Sequence, residues 1–98
     1  MTPSVRYAKK AESDLAEILS GTVERWGKGQ AARYLDGLVG TLELLAAQPA
    51  LGRLYTGNDF GWRRFEHVSH VIVYQTLRKG VSILRIIHKS RQIGKALR

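Results

Sequence analysis

The chain changes its hydrophobic period twice. Residues 4 to 8, "SVRYA", alternate, with Val5 and Tyr7 on one side and Arg6 on the other, which predicts a short strand. From about Lys10 the apolar positions Ala11, Leu15, Ile18, Leu19, Val23 and Trp26 recur three and four apart, and the acids Glu12, Asp14 and Glu17 crowd the early turns, where the helix dipole favours them. Gly27 follows as the expected left-handed C-terminal residue, and Trp26 is expected in the core. Ala31, Leu35, Leu38, Leu42 and Leu45 then step by four, three, four and three, with Tyr34, Val39 and Ala46 widening the stripe, until Pro49 stops the helix. With "GKG" between them, the two helices are expected to fold back as an antiparallel hairpin.

Residues 49 to 61, "PALGRLYTGNDFG", carry Pro, Gly, Asn and Asp and read as a loop. Beyond it, "WRRFEHV", "HVIVYQTL" and "VSILRIIH" are rich in β-branched and aromatic residues, and the "RKG" between the last two supplies a hairpin glycine. The predicted order is β-α-α-β-β-β: an α+β domain over residues 1–98, with a helical hairpin on one face of a small, mostly antiparallel sheet. A sheet covered on one side should be polar on the other. "HVIVYQTL" is apolar on both faces, so the far face is expected to be a semi-apolar binding surface, rimmed by Arg85, His88 and Arg63 or Arg64.

Charge sharpens this picture. After Glu66 the chain carries seven Lys/Arg and no acid, and the residues before it are near neutral, so nearly all of the formal +8 lies in the last third. A charge asymmetry of this kind points to a partner, whether nucleic acid, an acidic protein or an anionic membrane. With no cysteine there is no disulfide framework and no thiolate chemistry. His67 and His70 lie close together but His88 is distant, and no carboxylate sits at ligand spacing, so neither a metal nor a cofactor is expected. The opening residues lack a secretory apolar region and no segment reaches membrane-spanning length, which points to a cytoplasmic location.

"AESDLAEIL", "WGKGQAARYLDGL", "LAAQPALGR", "HVIVYQ" and "ILRIIHKSR", in that order and spacing, resemble the ParE-type toxins of the RelE/ParE superfamily of toxin–antitoxin systems along nearly the whole chain. The resemblance implies a non-enzymatic toxin that traps DNA gyrase in its cleaved complex. It also implies a ParD-like antitoxin whose acidic, amphipathic C-terminal segment folds onto the toxin. Residues expected to meet antitoxin or target are Arg63, Arg64, Tyr74, Arg85, His88, Lys89, Arg91, Lys95 and Arg98, the last three on a tail whose Ile93 and Leu97 suit a short helix.

Two other readings stay open. RelE-like ribonucleases use basic residues of the sheet and a C-terminal Tyr; here Val71 stands where an Arg is expected and the tail has no Tyr, although Arg91 matches and His88 could serve catalysis. A DNA-binding accessory protein would use the same basic end on phosphates.

Overall fold

The computed structural model describes residues 3–55 and 60–90. Five strands, β1 (Ser4–Tyr7), β2 (Arg53–Leu54), β3 (Arg63–His67), β4 (His70–Leu77) and β5 (Gly80–His88), form one sheet in the order β1-β5-β4-β3-β2. Strand β1 runs parallel to β5, and every other pairing is antiparallel. The expected loop therefore contains a 3-10 turn at Pro49–Leu51 and the two-residue edge strand β2. Such a short segment leaves too little alternation to be read from sequence.

The helix α1 (Lys9–Ala47) is broken at Gly27, whose φ of 85° and ψ of 169° are extended rather than left-handed helical, in a region essentially reserved for glycine. Unbroken, 39 residues would run about 58 Å, yet the longest dimension of the molecule is 38 Å. The chain thus doubles back at Gly27 into two arms, residues 9–26 and 28–47, as the spacing predicts. Ala11 from the first arm and Leu38, Leu42, Leu45 and Ala46 from the second pack on Ile72, Tyr74, Val81, Ile83 and Ile86 of the sheet. Trp26 is not part of this core; it is 69% exposed at the end of the first arm.

The far face is apolar, as expected, but its centre is buried and not the open binding surface anticipated. Val71, Val73 and Ile87 form a second buried cluster with Trp62 and Leu84 against it. One irregularity decides which side chains lie there. Val73 pairs with Arg85 and Tyr74 with Ile83, so Leu84 is an extra residue in β5. This bulge resets the alternation: Val81 and Ile83 face the helices before it, and Ile86 faces them after it.

Candidate functional site

The bulge lies beside the place where β1 ends. Strand β1 covers β5 from Gly80 to Ile83, and the Ala8 N–H then donates to the Ile83 carbonyl as the chain turns into α1. Past that point Asp14 takes the place of a neighbouring strand. It accepts the Ile86 N–H at 2.9 Å and holds the Arg85 guanidinium through Nε at 2.8 Å and Nη2 at 3.1 Å. Hydrogen bonding to Asp14 pushes the Arg85 pKa up, so the cation is permanent. Arg85 is therefore not on an open face awaiting a partner; it is a largely buried pin between the first arm and β5. Asp14 was the missed half of this pair. An acid three residues after Ala11 and four before Ile18, on the apolar stripe, was the signal for it.

Tyr74 also turns inward. It is fully buried, and its hydroxyl donates to the Pro49 carbonyl and accepts the Gly52 N–H at 2.8 Å, fastening the 49–52 turn to the sheet. Arg63 donates to the Gly52 carbonyl from the next strand. Both residues build the scaffold, because a turn crossing the end of a sheet needs donors and acceptors for its own backbone.

Arg64 and Glu66, whose cross-strand partners are Val73 and Val71, belong to the far face. Glu66 draws three cations: Lys89 Nζ at 3.2 Å, Arg64 Nη2 at 3.7 Å and Arg53 Nη2 at 3.9 Å. Lys89 is the main cause of a carboxyl pKa held below its usual range. Arg53 and Arg64 are direct cross-strand partners, and the buried Arg64 Nε has no hydrogen-bond partner among the described residues. Arg91, Lys95 and Arg98 lie outside the described residues.

A cleft of about 700 Å³ opens where the tip of the helical hairpin meets the end of the sheet, between Ile18, Thr22 and Trp26 on one side and Ser69, His70 and His88 on the other. Val68, in the turn between β3 and β4, has a φ of 48°, unusual for a β-branched residue, and also lines the cleft. His88, far from His70 in sequence, is its cross-strand partner, with ring centroids 5.3 Å apart. His70 Nδ1 is 2.7 Å from the Tyr34 hydroxyl, and His67 Nδ1 is 2.8 Å from Thr41 Oγ1, so both imidazoles tie the second arm to the sheet. His88 accordingly sits on the helical side and not at the margin of the far face; its Nδ1 accepts the Ser90 N–H and meets the Ser90 hydroxyl.

Burial lowers the His67 and His70 pKa values below the ordinary 6.5, with the neighbouring imidazoles adding to the effect at His70 and Asp14 opposing it. The unfolded chain binds protons at about pH 6.5 while the folded one resists them, so their contribution to stability is complete above that pH and declines as pH falls below it. Thermal unfolding should shift to lower temperature on going from about pH 7.5 to about pH 5.5. The shift should be smaller in His70→Asn, and an equal shift in both proteins would remove His70 from the account.

A helical hairpin laid on one face of a five-stranded sheet in this order places the chain in the RelE/ParE fold class. The fold matches that of a structure described as the chromosomal ParDE TA system from P. aeruginosa, with a TM-score of 0.72 and 22% identity over 89% of this chain and 96% of that one. It also matches the E. coli DinJ-YafQ toxin-antitoxin complex, with a TM-score of 0.59 and 14% identity over 96% of this chain and 100% of that one. Within the class, residues 5–93 match the family described as the ParE toxin of the type II toxin-antitoxin system parDE, and the chain belongs to that family. It is 35% identical to Toxin ParE1 of Caulobacter vibrioides, over 87% of this chain and 88% of that protein. It is 31% identical to Toxin ParE1 of Mycobacterium tuberculosis, over 96% of this chain and 99% of that protein. The protein is thus the toxin component of a type II toxin–antitoxin system.

Proposed function

We propose that this toxin acts in the cytoplasm by trapping DNA gyrase in its cleaved complex with DNA. In this reading it is not an enzyme, and a ParD-like antitoxin keeps it inactive by laying an acidic, amphipathic C-terminal segment on the basic margin of the sheet. Family membership carries the reading, and the disposition of charge supports it. Arg53, Arg64 and Lys89 gather on one margin around a single acid, Glu66. Arg91, Lys95 and Arg98 continue the cationic run in sequence, and His88 precedes it at the end of β5.

The ribonuclease alternative finds less support in the described residues. Val71, at the position where a RelE-like enzyme needs a cation, is buried in the apolar far-face cluster. Arg85, the one Lys or Arg within β5, is committed to Asp14. His88, the other candidate for catalysis, uses Nδ1 on Ser90. No helix among the described residues is long and apolar enough to cross a membrane.

Purified protein added to gyrase and supercoiled plasmid should produce linear plasmid, and the same preparation should leave a translated mRNA intact. Removing residues 92–98 should abolish plasmid cleavage. Cut mRNA with gyrase unaffected would overturn this reading in favour of the RelE-type activity.

A further inference from the structure

The basic margin is out of balance. Arg53 and Arg64 face each other across β2 and β3, an arrangement of like charges that weakens a sheet unless an anion stands between them. Glu66 supplies one negative charge to three cations, at ion-pair distances of 3.7 and 3.9 Å for the two arginines, longer than a charge-assisted hydrogen bond. Lys89, at 3.2 Å, holds that carboxylate best. The buried Arg64 Nε–H lacks an acceptor among the described residues, which costs free energy in a folded protein unless a ligand supplies one. A pocket of about 200 Å³ lies at this point, lined by Leu51, Arg53, Arg64, Phe65 and Glu66. Leu51, in its lining, is exposed.

We propose that Arg53 and Arg64 form a receiving site for a partner's carboxylate, which Glu66 fills loosely in the free protein and yields when the partner binds. The occupant is an acidic side chain of the antitoxin's C-terminal segment, with a neighbouring apolar residue of the same segment resting on Leu51. The inference rests on the antitoxin reading above. A peptide fits better than a nucleic acid because the pocket mixes arginines with apolar walls, whereas a phosphate-tracking surface would be uniformly cationic. Displacement of Glu66 leaves its carboxylate with Lys89, so no buried charge is stranded in the exchange.

The test uses the full-length toxin and, as probe, the full-length antitoxin encoded in the same operon, with binding measured by calorimetry at two salt concentrations. Arg64→Gln and Arg53→Gln should each weaken binding about tenfold, the worth of one charge-assisted contact. Glu66→Gln should tighten it about threefold, as loss of a competing surface ion pair would. The charge-matched controls Lys28→Gln and Glu24→Gln, in the helical layer, should change it far less, and unchanged thermal unfolding of each variant would show that the fold is intact. Tight binding that ignores Arg53→Gln and Arg64→Gln would overturn the site and leave the antitoxin reading standing. Absence of any complex with the antitoxin would overturn both. If Arg64→Gln instead weakens binding to a duplex oligonucleotide and leaves antitoxin affinity unchanged, the site belongs to nucleic acid and the proposal fails.

Discussion

Asp14→Ala should lose about 3 kcal/mol or more of stability, the usual result when one member of a buried ion pair is removed. The substitution would take one shared acceptor from two donors at once. The Arg85 guanidinium would stay largely enclosed without the Asp14 carboxylate, and the Ile86 N–H would face the gap beyond the end of β1. Asp14 itself is 7% exposed, so water cannot readily replace it. Asp14→Asn keeps an oxygen for Ile86 but drops the charge, and should cost less. The double variant Asp14→Leu with Arg85→Leu should be more stable than Asp14→Ala alone, because it removes the pair without stranding a charge. Urea unfolding followed by circular dichroism would measure all three, and an Asp14→Ala midpoint equal to that of the parent would refute the pin. The same logic separates stability from activity: an Arg85 substitution that weakens toxicity should do so in step with unfolding.

Gly80→Ala is expected to be as damaging, for a backbone reason. Gly80 has a φ of 121°, and an added Cβ would collide with the backbone carbonyl of Ser4, its partner in the β1–β5 register. The strand cannot yield without losing the Ser4 N–H bond to the Lys79 carbonyl and the parallel ladder above it. Strain at a glycine-only conformation together with a backbone clash should amount to about 3 kcal/mol, lowering the melting temperature by roughly 10–20 °C in a domain of this size. Hydrogen exchange at Val5 to Tyr7 should speed up more than at the centre of β4. Gly40→Ala makes the contrast: it is helical, with nothing within 4 Å of the new Cβ, and should be stabilising by up to about 1 kcal/mol. Equal melting temperatures for the parent and Gly80→Ala would show that β1 can shift along β5.

Much of the architecture was legible because it rests on local periodicity. The leucine steps of the second arm, the break at Gly27, the hairpin glycine at position 80 and the apolar far face all follow from spacing and residue type. The candidate site was legible in its charge and less so in its members. Arg64 and Lys89 do stand on the basic margin, whereas Arg63, Tyr74 and Arg85 are occupied by the turn at Gly52 and by Asp14. Strict alternation also misplaces His88, since one extra residue at Leu84 reverses the faces of everything after it in β5.

The sequence by itself determined the family, the order of the longer elements and the concentration of positive charge after Glu66, because each is a property of residue identity along the chain. Only the tertiary structure decided that Asp14 meets Arg85, that His88 lies beside His70 and that Lys89 closes on Glu66. Those pairs are separated by 71, 18 and 23 positions. Their meeting depends on strand register and on where β1 ends, which are set by the packing of the whole sheet against the hairpin and not by any local stretch of chain.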